Sequence, residues 1–278
     1  MLVTQSQRDA FRNDGAVLIE NCLDEAQLAR CYEAFKWNVA NPGPYHFTAL
    51  DGTTLQTHID NANPAVKDRY DDLVMTLPFG KLFQELWGSE HVWYFAEEVF
   101  VKEGGKSGRG PWHQDTANLP WAGEHWGNAW ITFQKIPKKN SLEIVRGSHH
   151  GIQYDGASFR NPDDPTDPLY GDGSLPRLPH IDKEREQDPS SWDVVSWSIT
   201  PGDVVLLHPR SLHGGAAVDA DCPDRHTLVL RFFGDDARFR SLPTSNPLYA
   251  RNGVLFAEEM AKLNEGEPFR SPIFRQLV

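Results

Sequence analysis

The sequence predicts a mainly β domain, a sandwich or barrel with helices packed outside it. Three observations carry that expectation. Apolar residues recur at helical spacing through the first 90 or so residues. Between residues 91 and 240, short runs rich in Val, Ile, Phe, Trp and Tyr alternate with Pro, Gly and Asp. The 278-residue chain is long enough to bury roughly three quarters of its unfolded surface, in one large core or two smaller ones.

Taken in order, residues 5–14 read as a short helix stopped by Gly15, and 16–19 (Ala-Val-Leu-Ile) as a buried strand. Asp24 stands where an N-cap belongs for a helix over 25–39, along which Leu28, Cys31, Tyr32 and Phe35 share a face. Pro42-Gly43-Pro44 ends it. Residues 63–88 again read as helix, with Leu73, Leu77, Leu82, Phe83 and Leu86 on the apolar side. After Gly88 the period changes. Residues 91–102, 129–136, 141–145, 193–199, 203–208 and 227–233 are the expected strands, and Pro201-Gly202-Asp203 is the clearest turn. Residues 151–192 interrupt the series with six prolines and many Asp and Gly, the composition of a lid or a disordered insert. Beyond Ser241, prolines at 243, 247, 268 and 272 leave room for one helix near 253–263.

Composition narrows the function. A net charge of −12 repels phosphate backbones and anionic lipid, which argues against nucleic acid and membrane as partners. Cys22, Cys31 and Cys222 are odd in number and contain no CxxC pair, so neither a disulfide framework nor a thiolate zinc site is expected, and a reducing cytoplasm suits them. Arg8 and Asp9 come before any apolar stretch, which argues against a signal peptide. No apolar run approaches the roughly 20 residues that span a bilayer. Oligomeric state leaves no mark in the sequence.

The strongest chemical signal is Trp112-His113-Gln114-Asp115. In an extended segment His113 and Asp115 point to one face, offering an imidazole and a carboxylate to a metal. A third ligand is available after the 201–203 turn, where an apolar strand leads to His208 and His213. Two histidines and one carboxylate form the facial triad of non-heme Fe(II) oxygenases, which leaves coordination positions open. His208 competes with His213. The latter is preferred because Gly214-Gly215 permits close backbone approach. Twelve residues on, Arg225 opens an apolar strand. A guanidinium fork fits a carboxylate through two parallel hydrogen bonds; considered alone, Arg225 reads better as a surface partner of Asp221 or Asp224. His149 reads as a turn residue and not a ligand. Trp112, Trp121, Trp126 and Trp130 crowd the same region and offer aromatic walls or plain core, while Lys106, Arg109, Lys135, Lys138 and Lys139 offer cations or a solvated loop.

With these residues in hand, the chain resembles the phytanoyl-CoA dioxygenase-like Fe(II)/2-oxoglutarate oxygenases over about residues 5–240. The resemblance rests on Phe11–Ile19 followed by Leu23-Asp24-Glu25, on Val101-Lys102, on Trp112–Asp115, on Ser141–His149, and on Pro201-Gly202-Asp203, His213-Gly214, Arg225 and Arg231–Asp236 in that order. It implies a double-stranded β-helix (jelly-roll, cupin-like) core and one oxygenase domain over 1–278: a mostly helical part to residue 90, the core over 91–240 with a lid-like insert at 151–192, and an extension over 241–278. It also implies iron on His113, Asp115 and His213. Arg225 is implied to hold the distal carboxylate of 2-oxoglutarate, with Lys102 and Trp130 lining the co-substrate pocket. Fe(II), 2-oxoglutarate and O₂ are the implied cofactor and co-substrates; the implied reaction is hydroxylation of a small molecule with release of succinate and CO₂. Desaturation, epoxidation or ring closure would use the same triad, and a non-catalytic metal-binding sensor is the rival of another class. Where the family often has Ser or Thr, this chain has Gly215, and Arg146 replaces a common Pro. Asp115 is present, which disfavours a halogenase, since that chemistry vacates the carboxylate position.

Overall fold

The computed structural model describes residues 1–49, 52–53, 57–243, 245–246 and 256–278. Helix α1 (Gln5–Asp14) starts on a reciprocal cap between Thr4 and Gln7 and ends at Gly15, whose φ of 81° is open to glycine at no steric cost. Strand β1 (Ala16–Ile19) and α2 (Glu25–Ala40), capped by Asp24, follow as expected. Strands β2 (Phe47–Ala49) and β3 (Thr57–Asn61) are additions, too short and polar for a period to show. The expected helix over 63–88 is broken into α3 (Lys67–Val74) and α4 (Phe79–Trp87), because Pro78 has no N–H with which to continue α3.

Next come β4 (Val92–Lys102), β5 (Trp121–Ala122), β6 (Trp126–Thr132), β7 (Leu142–Val145), α5 (Ile181–Gln187) and β8 (Val194–Val195). Then come β9 (Val204–Leu207), β10 (His213–Gly215), β11 (Arg225–Gly234), β12 (Arg238–Phe239), α6 (Ala257–Met260) and β13 (Arg275–Gln276). The strand expected over 193–199 shrinks to β8, with Ile199 bridging Ile136 beyond it. Of the helix expected near 253–263, α6 is the helical part among the described residues; residues 253–255, like Pro247, lie outside them.

The larger sheet runs β1-β9-β6-β11-β4-β3-β2, with β13 also on β4; the smaller runs β10-β7-β8. Every pairing is antiparallel. Alternation along the strands decides what each face meets. Leu228, Leu230 and Phe232 of β11 join Phe79, Leu82 and Phe83 of α4 in a core beneath the N-terminal helices. Val229, with Trp130, Val205 and Leu207, meets Leu142, Ile144 and Val195 of the smaller sheet, so a second core lies between the sheets. This is the jelly-roll arrangement. A third, aromatic cluster around Phe95, Trp121, Trp126 and Phe269 closes one end.

Residues 151–192 are neither structureless nor detached. Leu178 and Ile181 are buried with Trp112 and Leu212, the Trp112 indole N–H donates to Asp182 at 3.0 Å, and the Tyr170 hydroxyl donates to the Ala117 carbonyl at 2.6 Å. The prolines and glycines that suggested disorder serve instead to lead an irregular chain across the 111–118 segment. Among the described residues no helix is long and apolar enough to cross a membrane.

Candidate active site

His113 and His213 are joined by the backbone before their side chains meet. Each donates its N–H to the other's carbonyl, at 2.9 and 3.0 Å, which pins the 109–115 segment to β10. Asp115 lies two residues on, its own N–H donating to Pro209 at 2.8 Å, and it opens a short 3₁₀ turn instead of continuing an extended strand. One ligand-type atom from each of the three residues falls within 4.8 Å of the others, the single such cluster among the described residues. The Asp115 carboxylate is 9% exposed and His213 is 7% exposed.

The proton positions are decided by the backbone. His113 Nδ1 lies 3.0 Å from the Pro111 carbonyl and His213 Nδ1 2.8 Å from that of Ser211. A carbonyl only accepts, so each Nδ1 carries the proton and each Nε2 turns a lone pair inward. Asp115 is divided in the same way. Its Oδ1 faces the two Nε2 atoms at 3.5 and 3.6 Å. Its Oδ2 accepts from Asn128 Nδ2 at 2.7 Å, with Arg231 Nη2 at 3.8 Å. Arg231 is itself paired with Glu98 and donates to Asn61 at 3.1 Å. One carboxylate oxygen is thus occupied by the protein and the other is available. Burial resists ionisation of Asp115, but His213, His113 and Arg231 outweigh it and hold the carboxyl low. Burial and the neighbouring His113 push the His213 imidazole down to about 4, so it is neutral and able to bind a cation at neutral pH.

Antiparallel register places the remaining predicted residues. Arg225 and Lys102 are directly paired across β11 and β4, and Trp130 pairs with Val229 across β6 and β11. All four border an inner cavity that the triad closes at its other end. Arg225 is 5% exposed and donates to the Asn140 carbonyl and, at 2.9 Å, to that of Ala216. It makes no ion pair among the described residues: Asp221 binds Lys139, and Asp224 accepts from the Gly104 N–H. The surface-pair alternative for Arg225 is therefore removed. Burial pulls its guanidinium down to about 10. Burial, with Arg225 and then Arg109 nearby, pulls the Lys102 ammonium down to about 7; Lys102 is 4% exposed and donates to Gly108 at 2.6 Å. Two buried cations with no carboxylate partner among the described residues have the chemistry to receive an anion. Gly215 lies against this cradle: a Cβ there would stand 2.6 Å from Arg225 Nη2.

Other expected residues lie elsewhere. His208 ends β9 against Phe11 and His149, away from the triad. His149 is buried and reaches the Arg12 carbonyl at 3.0 Å, tying the 147–150 turn to α1. Trp121 and Trp126 are aromatic core, and Trp112 lies under the Arg109 guanidinium at 4.3 Å. Arg109 pairs with Glu143 and Asp182, and Lys139 with Asp219 and Asp221. Lys106, Lys135 and Lys138 border neither of the cavities that meet at the triad. Sequence reasoning missed Asn128, Glu98, Arg231 and Phe159. Alternation places Asn128 with Trp130 on β6, and Arg231 with Arg225 on β11, so those two were readable. Nothing local marks Phe159.

A second, outer cavity meets the first at the triad. Ile59, Glu98, Phe100, His113, Asp115 and Phe159 border both. The outer walls carry Tyr45, Phe47, Leu119 and Leu169 beside Asn61, Asn118 and Ser158. The site thus has a cationic inner end, a metal-type donor set in the middle and a mixed apolar chamber leading outward.

Solved structures share the fold. The α-ketoglutarate-dependent carbocyclase SnoK from nogalamycin biosynthesis is 19% identical, with 99% of this chain and 97% of that one covered at a TM-score of 0.66. The epimerase SnoN in complex with Fe³⁺, α-ketoglutarate and nogalamycin RO is 19% identical over 99% and 98% of the two chains, at 0.72. EctD from S. alaskensis, with 2-oxoglutarate and 5-hydroxyectoine, is 15% identical over 86% and 78%, at 0.56. Among curated proteins no sequence match is found. The model of the phytanoyl-CoA dioxygenase (PhyH) family matches residues 11–227, most of the chain and every residue of the triad and anion site, and the chain belongs to that family.

Proposed function

We propose that the protein is an Fe(II)- and 2-oxoglutarate-dependent dioxygenase that oxidises an unactivated C–H bond of a small molecule, by hydroxylation, with release of succinate and CO₂. The observation that carries this reading is the inner cavity: a two-histidine, one-carboxylate face at one end and, at the other, a buried arginine with no acid partner among the described residues. The donor set fits iron, since both Nε2 lone pairs and one carboxylate oxygen point inward from one side. The Gly215 cradle fits a carboxylate lying against Arg225. In this reading His113, Asp115 and His213 hold the metal. Arg225 holds the distal carboxylate of 2-oxoglutarate, Lys102 supplies the second contact that Gly215 cannot, and Trp130 walls the pocket.

When bound, iron with 2-oxoglutarate and O₂ supplies the oxidising power for C–H cleavage. The chain's own groups do the rest. The Pro111 and Ser211 carbonyls orient the two imidazoles. Asn128 donates to the outer oxygen of Asp115 and Arg231 lies close to it, so Asp115 would offer a metal its other oxygen. Arg225 and Lys102 orient the co-substrate at the inner end, and the outer chamber admits the substrate.

A second reading of the outcome is supported by the neighbours, which include a carbocyclase and an epimerase: the same site can close a ring or invert a centre. The choice depends on where the substrate carbon is held. We place the whole chain in one oxygenase domain, since the N-terminal helices share a continuous core with β4, β9 and β11. Within it, residues 151–192 act as a cover over the triad. The reading is tested by an anaerobic visible spectrum with Fe(II), before and after 2-oxoglutarate, in wild type and Arg225→Ala. A charge-transfer band that needs both additions and weakens in the variant is expected. Iron binding without such a band would favour the metal-binding sensor.

A further inference from the structure

Phe159 combines three features that no other described residue shares. Its backbone is in the left-handed region at φ 57°, a conformation that is an outlier for a bulky side chain. Its ring stands edge-on to His113, with centroids 5.1 Å apart and planes at 78°. It borders both cavities at their junction. Strain of this kind persists only where the surroundings over-determine it, and it concentrates at functional sites.

The hydrogen bonds that hold the strained residue come from the insert itself. Ser158 N–H donates to the Asp167 carbonyl at 2.8 Å, Leu169 N–H to Gly156 at 2.6 Å, and Ala157 bridges Pro168. Arg160 N–H donates to Ser158 Oγ at 3.2 Å. The ring gains no core burial in return. It belongs to none of the four buried hydrophobic clusters. The strain therefore serves the position of the ring over the triad.

Across the junction the ring is joined by two other apolar walls, Phe100 and Ile59, with Phe47 further out. The charged groups that share the junction are already tied to one another: Glu98 to Arg231, and Arg231 towards Asp115. At the junction itself, apolar walls with neutralised charges accept a flat, uncharged group and give little to a phosphate or a carboxylate; Arg160, without an ion pair among the described residues, borders the outer cavity alone.

We propose that Phe159 is the specificity-determining residue of the site: its ring forms one face of an apolar slot that admits a planar, uncharged part of the substrate to the triad. This rests on the dioxygenase reading above, and the experiment separates the two. The probe is danthron, a planar dihydroxyanthraquinone, with 1-decanol as an apolar molecule lacking a flat face. Binding is read anaerobically by quenching of tryptophan fluorescence on protein with and without Fe(II) and 2-oxoglutarate, in wild type, Phe159→Ala, Phe159→Gly and Phe159→Tyr.

Wild type is expected to bind danthron more tightly than decanol. Phe159→Ala is expected to lose about three- to tenfold in danthron affinity, the worth of one aromatic contact, with decanol unchanged and Phe159→Tyr restored. Phe159→Gly is expected to melt about 2 °C above Phe159→Ala, because glycine alone relieves the left-handed backbone. Failure of wild type to bind danthron, or equal binding by Phe159→Ala, would overturn the slot. Melting of the alanine variant at or above the glycine variant would overturn the strain argument. The 2-oxoglutarate-dependent band, recorded on the same samples, reports the inner cavity independently. Its absence in wild type would count against the dioxygenase reading, whereas its persistence with unaltered danthron binding in Phe159→Ala would count against Phe159 alone.

Discussion

Gly215→Ala is the substitution whose effect is best worked from the geometry. The new methyl would stand 2.6 Å from Arg225 Nη2, and ordinary contact begins at 3.4 Å, so the guanidinium must retreat by about 0.8 Å. It cannot do so freely. Its Nη1 is held by the Asn140 and Ala216 carbonyls inside a buried site. A retreat of that size breaks one charge-assisted hydrogen bond, either to those carbonyls or to a bound carboxylate. Such a bond is worth about 1.5–3 kcal/mol, or roughly 10- to 150-fold in affinity. Anaerobic titration of 2-oxoglutarate into the Fe(II)-loaded protein, followed by the charge-transfer band, should show a weakening of that order. If the effect acts through Arg225, then Gly215→Ala should add nothing in an Arg225→Ala background, since the cycle isolates the shared contact. An affinity within twofold of wild type, or full additivity in the double variant, would refute the reasoning.

Three further expectations follow from the same structure. His113→Ala and Asp115→Ala should each abolish substrate-coupled succinate release and weaken iron binding, measured by metal content after gel filtration; near-normal turnover in either would sink the ligand assignment. Because the Lys102 ammonium titrates at about 7 and only its protonated form attracts an anion, 2-oxoglutarate affinity should fall as pH rises from 6 to 8 in wild type, and Lys102→Met should be both weaker and flatter across that range. Glu97 lies under the sheet, where burial pushes its carboxyl up to about 8, so its stabilising share is full below pH 4.5 and is lost as pH rises through 8. Melting curves of Glu97→Gln should therefore gain on wild type with rising pH, and a constant difference between pH 5 and 9 would contradict the burial argument.

Much of this was legible in the chain because the signals are local. Asp24 and Gly15 mark helix ends through hydrogen bonds made within a turn or two, and α1 and α2 begin and end within a residue of expectation. The 63–88 helix failed at Pro78, a local rule that apolar periodicity overrode in the reading. Strands β2 and β3 carry too few residues for alternation to register. His113, Asp115 and His213 stand out as metal-type donors because each sits beside a distinctive neighbour in sequence, whereas Arg225, which alone reads as a surface partner of Asp221 or Asp224, is marked only by the resemblance to the family. Asn128 and Arg231 were on the correct strand faces, but an amide or guanidinium there reads as ordinary polarity until a carboxylate is seen beside it.

The sequence by itself determined the class: helices then short strands, a triad of metal-type donors in chain order, and an arginine at the right remove. Those features depend on residue type, spacing and nearest-neighbour hydrogen bonds, which a chain carries wherever it folds. Only the tertiary structure decided which oxygen of Asp115 is free, that Arg225 has no acid partner among the described residues, that a side chain at 215 would crowd Arg225, and that Phe159 reaches His113. Each of these is a contact between residues separated by nine or more positions, made by antiparallel register or by an irregular insert crossing the site. No local periodicity records such a contact, because its energy arises only when the two sheets and the insert have closed around a shared cavity.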